Sequence, residues 1–351
     1  MKKTLLYLLI SIPFFTEAQT LASENFNSLT VGNVSSNIAG ATAGLGGFYV
    51  ESTNGTTPTT STNAAASNVQ IISGGNSSNG LQLTGPNGDK GGTFVWKNGL
   101  NTAWASRTNG NNIIEVEVEI NPGAGTTTSK NVFGVYIYNS GYTRVLAGFV
   151  VSASTRELNL VAYSTPSGQT VNNWTYTLGS SPVLLPANVY SKIGISYNKT
   201  TGQVIIKAPG LATAGVTIPG SSSATDPLEV DFFTSSGSTS TTANASSTSA
   251  ILDNLVIRAS ATDTLLENAN FASTVDFSVY PNPSNDVVNI SNSTNAIIST
   301  IEMTDLNGRV VKNVSLNATE GQVNISDLST GVYMMNVSSD QGSITKKIIK
   351  N

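Results

Sequence analysis

Apolar and polar residues alternate along most of this chain. Period-two runs include Thr93–Lys97 (TFVWK), Ile113–Ile120 (IIEVEVEI), Val132–Tyr138 (VFGVYIY) and Leu158–Ser164 (LNLVAYS). They continue with Trp174–Leu178, Lys192–Asn198, Gln203–Ala208, Glu229–Phe233 and Ile251–Ala259. Successive side chains on a strand point to opposite faces, so such runs mark half-buried strands. Asn198–Gln203 (NKTTGQ) reads as a hairpin turn between two of them. No amphipathic helix of useful length is visible, and no internal repeat. Many short strands joined by polar turns predict an all-β fold: one large antiparallel jelly-roll sandwich over residues 19–259. Ser52–Asn68 and Thr234–Ser249 are rich in small polar residues that bury little apolar area, so they read as mobile loops. Residues 260–275 read as an interdomain linker, and a second β-pattern fills 276–351.

The first residues change the picture of where this fold resides. Lys2 and Lys3 precede an apolar run, Leu5–Phe15, and Thr16-Glu17-Ala18 offers small residues for a signal peptidase. Residues 1–18 therefore read as a signal peptide cleaved after Ala18. No later run reaches the roughly 18–20 apolar residues a membrane span needs, so no transmembrane segment is expected in the mature chain. The chain has no Cys and no His. That removes Ser-His-Asp triads, Cys nucleophiles and His- or thiolate-bound metals. A metal here would have to be oxygen-ligated, which favours Ca²⁺. Only 11% of residues are charged and the net charge is −4, so no basic surface for nucleic acid is present.

Four motifs follow in order near the C-terminus. They are FSVYPNPSNDVVNI (Phe277–Ile290), IEMTDLNGRVV (Ile301–Val311), VNISDLSTGVYMMNV (Val323–Val337) and KKIIKN (Lys346–Asn351). Together they resemble the type A C-terminal sorting domain of the type IX secretion system of Bacteroidetes. The residues that carry the resemblance are Tyr280, Pro281, Asn282, Pro283, Asp305, Gly308, Arg309, Gly331, Tyr333, Lys346, Lys347 and Lys350. Pro281 and Pro283 fix φ and lack N–H donors, so they mark the start of a strand. Asn307-Gly308 suits a tight hairpin turn, and Gly331 suits a turn where a side chain would clash. The resemblance implies a small Ig-like β-sandwich and partnership with the type IX machinery and a sortase-like peptidase. It implies delivery across the outer membrane, to the cell surface or the medium. Upstream, Asp263-Thr264-Leu265 resembles the Asp-Ser/Thr-apolar signal for O-glycosylation in Bacteroidetes, which makes Thr264 a candidate acceptor in an exposed linker.

The long N-terminal domain resembles the concanavalin A-like or LamG-like jelly rolls. The opening ENFNSLTVG (Glu24–Gly32), the closing ILDNLVI and the strands between carry this resemblance. It implies that first and last strands lie side by side, which would bring Glu24 and Asp253 together as a structural Ca²⁺ site. In IIEVEVEI, Ile114, Val116, Val118 and Ile120 share one face, and Glu115, Glu117 and Glu119 the other. The strand is similar to the Glu-x-Asp-x-Glu strand of laminarinase-type retaining glycosidases, whose carboxyl groups stand about 5–5.5 Å apart. That makes Glu115 and Glu119 catalytic candidates. Glu117 replaces the central Asp, however, and a solvated acidic face explains the pattern without chemistry. Tyr136 and Tyr138 alternate with Phe133, Val135 and Ile137, so both Tyr are expected to face outward as a platform for sugar rings. Trp174 and Tyr176 form a second such pair. The expected role is an exported protein that binds polysaccharide or mediates adhesion without catalysis. A carboxylate-dependent glycoside hydrolase or lyase, and a structural surface protein, are the alternatives.

Overall fold

A computed structural model describes residues 18–54, 63–126, 128–220, 223–237, 244–266, 277–292, 297–305, 309–339 and 342–351. The expected signal peptide, the stretch 267–276 and Gly308 lie outside them. The chain forms two compact units, 1–267 and 268–351.

In chain order the first unit contains β1 (Gln19–Glu24), β2 (Gly32–Asn33), β3 (Phe48–Thr53), β4 (Val69–Ser73), β5 (Asn79–Thr84) and β6 (Gly92–Lys97). After a short helix, α1 (Leu100–Ala105), come β7 (Ile113–Asn121), β8 (Val132–Asn139), β9 (Val145–Ser152), β10 (Glu157–Ser164), β11 (Asn172–Thr177) and β12 (Val183–Leu184). The unit ends with β13 (Ser191–Asn198), β14 (Val204–Lys207), β15 (Val216–Ile218), β16 (Pro227–Ser235) and β17 (Ser249–Ser260). Among the described residues these make two antiparallel sheets. The larger has nine strands, ordered β15-β14-β13-β7-β17-β5-β4-β2, with β1 also on β17. The smaller has eight, ordered β11-β10-β9-β8-β16-β6-β3, with β12 on β10.

The alternation of the sequence is met in the core. Ile114, Val116, Val118 and Ile120 of β7 are buried, as are Phe133, Val135 and Ile137 of β8. These inward rows pack as one apolar layer between the sheets. Phe26, Phe48 and Phe232 meet there, with ring centroids 5.7–6.4 Å apart. The opening and closing strands do lie side by side: β1 pairs with β17, with Glu24 opposite Leu255.

Three expectations need correction. The six-residue helix α1 is not visible as a pattern in the sequence. It starts at Gly99 in the left-handed region (φ 104°) and buries Trp104, whose indole N–H donates to Asp226 at 2.7 Å. The loop expected over Ser52–Asn68 is partly strand, for Ser52 lies buried in β3 with its hydroxyl 2.7 Å from that of Thr93. Thr234 and Ser235 likewise complete β16 rather than opening a loop.

The second unit is a smaller sandwich. Its strands are β18 (Phe277–Tyr280), β19 (Val287–Asn292), β20 (Ile298–Asp305), β21 (Val310–Ala318), β22 (Gly321–Asn324), β23 (Gly331–Ser339) and β24 (Gly342–Lys350). A three-stranded sheet, β18-β19-β22, and a four-stranded sheet, β21-β20-β23-β24, enclose a core of its own.

The aromatic cluster of the first unit should be a strong anchor. Phe232→Ala is expected to cost about 3–5 kcal/mol, since it removes a large ring from a dry layer. Urea unfolding of the mature protein, followed by tryptophan fluorescence, checks this. An unchanged first transition would mean that the layer closes around the gap.

Candidate functional site

The two outer faces of the first unit are built differently. On the larger sheet, Glu115 and Glu117 point away from the core, yet both are fully buried. Arg258 on the neighbouring β17 bonds to both, with Nε 3.3 Å from Glu115. Lys192 on β13 reaches Glu117 at 2.6 Å. Residues 261–266 then run back across this face as a strap. The N–H of Thr264 donates to Glu115 at 2.6 Å, its hydroxyl also donates to Glu115, and the N–H of Leu266 donates to Glu117 at 2.9 Å. Lys207 holds the strap from below through Asp263 (2.7 Å) and the carbonyl of Leu265 (3.1 Å). Gly194 leaves the room: a Cβ there would sit 2.9 Å from the buried Leu265 side chain.

This overturns three readings. The acidic strand is not a solvated face, because the strap and Arg258 cover it. Glu115 and Glu119 do not form a catalytic pair. Glu115 is sealed under the strap, while Glu119 accepts hydrogen bonds from the amides of Asn76 and Asn254, both at 2.7 Å. Thr264 is not an exposed linker residue; it is half-buried, with its hydroxyl engaged. The electrostatics fit this sealed arrangement. Burial pushes the Glu115 carboxyl up, against the hydrogen bonds from Thr264 and the charge of Arg258. Burial also opposes ionisation of Glu117, but Lys192 and then Arg258 outweigh it and hold that carboxyl below its usual range.

Glu24 and Asp253 are also held apart from one another as ligands. Glu24 binds Lys97 at 2.6 Å and accepts the N–H of Phe26, whereas Asp253 accepts the N–H groups of Asn76 and Asn254. The Lys97 ammonium neutralises Glu24, and no group of three acids able to hold a metal occurs among the described residues. A mostly apolar cavity of about 190 Å³ near Glu24 is lined by Leu21, Phe48, Val230, Phe232 and Ile257.

The outer face of the smaller sheet is the chemically richer one. Tyr136 and Tyr138 of β8 do point out of the core and are half-buried. Their rings meet edge to face at 5.7 Å; Tyr136 packs on Phe233 at 4.2 Å, and Tyr138 meets Tyr142 of the following turn at 5.8 Å. On the adjacent β16, Asp231 lies opposite Tyr136 and Glu229 opposite Tyr138. Beyond Asp231 come Trp96 of β6 and Tyr49 of β3, stacked at 5.7 Å. Gly134 and Gly148 let the rings lie down: a Cβ at Gly148 would collide with the Tyr136 ring, and one at Gly134 with that of Phe233.

Glu229 and Asp231 are hydrogen-bonded to each other, and Tyr142 donates its hydroxyl to Glu229. Burial, then the charge of Glu229, pushes the Asp231 carboxyl up to about 9, so the pair shares a proton at neutral pH. Burial also raises Tyr136 to about 12, and Tyr138 shifts in the same direction for the same reason. Sequence reasoning marked Glu229–Phe233 as a strand but missed the pair, because only cross-strand register sets it between tyrosines. Trp174 and Tyr176 do not form a second platform. They lie opposite the buried Ala162 and Leu160, on the core side of the edge strand β11, and Tyr176 bonds Ser164.

In the second unit the expected motif residues cluster through one amide. Asn282 donates to the carbonyl of Lys347 at 2.7 Å and accepts the N–H of Ile349 at 2.8 Å. It thereby ties Tyr280–Pro283 to β24, the strand that carries Lys346, Lys347 and Lys350. Both Pro281 and Pro283 follow cis peptide bonds, and they sit in the turn that leads from β18 into β19. Asp305 and Arg309 form a 3.1 Å ion pair across their hairpin. Tyr333 is buried and donates to the carbonyl of Ser329 at 2.8 Å. Gly331 lies in β23, where a Cβ would meet nothing nearer than 3.8 Å, so no clash demands glycine there.

This arrangement coincides with a known family. Residues 278–351 match the secretion system C-terminal sorting domain. The C-terminal unit is a type IX secretion sorting domain. A sorting domain of this kind marks an exported protein that ends on the cell surface or outside the cell. A search of curated proteins finds no match. Among solved structures, an alginate lyase in complex with an alginate tetrasaccharide is similar at 14% identity and a TM-score of 0.40, over 68% of this chain and 96% of that one. The botulinum neurotoxin serotype D/C binding domain is similar at 12% identity and a TM-score of 0.39, over 85% and 68%. A cellulose-induced protein follows at 14% identity and a TM-score of 0.34, over 69% and 97%. Likeness at this level carries no functional argument.

The sealed face makes a direct prediction. Arg258→Met strands two buried carboxylates and is expected to cost about 3–5 kcal/mol at neutral pH. An acid with a depressed pKa contributes stability above its unfolded value and loses it as pH falls through the folded one. Glu117 is that acid, so the gap between wild type and variant should narrow as pH drops below about 4.3, the ordinary glutamate value. Urea midpoints across that range test this; a gap that stays constant or widens would refute the assignment.

Proposed function

We propose that this protein is exported through its sorting domain and then binds, without catalysis, a glycan chain lacking acidic groups. The site is the outer face of the smaller sheet, around Tyr136, Tyr138, Tyr142 and Trp96. The observation that carries the reading is this half-exposed aromatic face around a carboxyl pair. Aromatic rings stack on the apolar faces of sugars while their polar tips hydrogen bond. The reading includes an N-terminal signal peptide ending at Ala18, a Bacteroidetes cell, and kinship of the cargo with concanavalin A-like jelly rolls.

Three features argue for binding over turnover. Glu229 and Asp231 touch, whereas paired glycosidase carboxyls stand about 5–5.5 Å or 6.5–9.5 Å apart. The tyrosines resist deprotonation, which counts against a phenolate base for a lyase. The acids of this face would also repel a polyuronate. One observation favours the enzymatic alternative: Asp231 keeps its proton at neutral pH, as a general acid must.

Affinity gels loaded with neutral polysaccharides test the main reading. Tyr136→Ala combined with Tyr138→Ala should fold yet lose retention by about tenfold or more, given a few kcal/mol for two stacking rings. Unaltered retention would move the site elsewhere. Release of reducing ends that disappears in Asp231→Asn would instead establish catalysis. For export, a chain lacking 277–351 should accumulate in the periplasm; normal surface or medium levels would contradict the role of the sorting domain.

A further inference from the structure

We propose that the Glu229–Asp231 pair is the recognition site for a protonated amine, so that the preferred ligand is a glycan built from free amino sugars. This rests on the binding reading above and narrows its ligand class. Four observations point to it.

The first is an unpaired acceptor. Asp231 is only 4% exposed, and its Oδ1 has no hydrogen-bond partner. Buried acceptors are almost always paired, and an orphan costs roughly 1–3 kcal/mol. An N–H donor from a ligand would satisfy it.

The second is the composition of the walls. Tyr136 and Tyr138 flank the pair from β8, Tyr142 from the turn, and Trp96 from β6. Aromatic rings beside carboxylates suit an organic ammonium, which gains cation–π attraction as well as charge-assisted hydrogen bonds. A calcium ion suits the site poorly. It needs six to eight oxygens, and here two carboxyl groups and phenols are surrounded by rings.

The third is that no cation among the described residues bonds the pair. Lys97 of β6 points to the inner face and binds Glu24, while Arg144 bonds Thr225 and stacks over Tyr163 at 4.9 Å. The groups that face the pair are acids or neutral: Tyr136 and Tyr138 of β8, Tyr142, Phe94 and Trp96 of β6, and Tyr49 and Glu51 of β3. The other buried acids of this unit have donors or bases: Glu115 and Glu117 have Arg258 and Lys192, and Asp253 accepts two backbone N–H groups. This pair has only a shared proton.

The fourth is a means of access. Tyr142 is 55% exposed at the β8–β9 hairpin, and its hydroxyl sits on Glu229. An arriving ammonium has to break one phenol hydrogen bond to reach that carboxylate. It then replaces both the phenol and the shared proton, which leaves to solvent. Binding therefore takes up one ammonium and releases one proton from the pair.

The experiment compares fully deacetylated β-1,4-glucosamine oligosaccharides with their N-acetylated counterparts on the mature full-length protein. Isothermal titration at pH 6, in two buffers of different ionisation heat, also counts protons. The amine form is expected to bind about tenfold more tightly, with net proton release. Asp231→Asn mimics the protonated carboxyl but cannot release its proton, so it should fold like wild type, bind the amine more weakly and show no proton release. Tyr142→Phe keeps the ring but removes the competing hydroxyl, and should strengthen amine binding several-fold. Equal affinity of the wild type for both ligands, or no proton release, overturns the amine assignment while leaving glycan binding in place. Binding of neither ligand, with Tyr136 and Tyr138 also dispensable on neutral gels, overturns the underlying reading. Calcium that competes with the amine and binds alone at micromolar concentration would reassign the pair as a metal site.

Discussion

A strand sends its side chains to two faces, but a two-layer sandwich supplies only one dry layer between its sheets. Everything on the outer faces has to meet water, find a partner, or be covered. The first unit has no cysteine, and its described residues include one short α-helix to help with this. It solves the problem in two ways. The larger sheet is covered locally by its own last residues, which settle over Glu115 and Glu117 and meet their charges. The smaller sheet is left half-open, with rings laid flat over glycines. The asymmetry says where a ligand can dock: a face already satisfied by its own chain has little to offer, and an aromatic face with an unpaired acceptor has much.

The same logic separates two acidic pairs that look alike in sequence. Glu115 and Glu117 are i, i+2 neighbours on one strand, and so are Glu229 and Asp231. The first pair faces Arg258 across the ladder and Lys192 on the other side, so Glu117 ionises easily. The second pair faces tyrosines, so desolvation is unopposed and Asp231 holds a proton. Burial alone does not set the outcome; the cross-strand partner does.

That is also why the fold was more legible than the site. Alternation is a local property, and it correctly sent Phe133, Val135 and Ile137 inward and Tyr136 and Tyr138 outward. It could not show which strands are neighbours. Without the β16–β8 pairing, Glu229 and Asp231 are two acids in an ordinary strand. Without the β10–β11 pairing, Trp174 and Tyr176 pass for an exposed platform, when Ala162 and Leu160 place them on the inner side. The strap misled for a different reason. Ala261–Leu266 is short, shows no alternation and reads as linker, yet its backbone N–H groups are the donors that two buried carboxylates require. Composition registers side chains and overlooks that use of the main chain.

The strap has a consequence for how the two units live together in one chain. Each has a core drawn from its own residues: the first runs to Ala259, and the second begins with Phe277. Leu266, the last described residue before the sorting domain, donates its N–H to Glu117. A chain divided after that point keeps Arg258, both glutamates and every backbone donor that neutralises them. The charges buried under the strap are thus met by residues of the first unit itself.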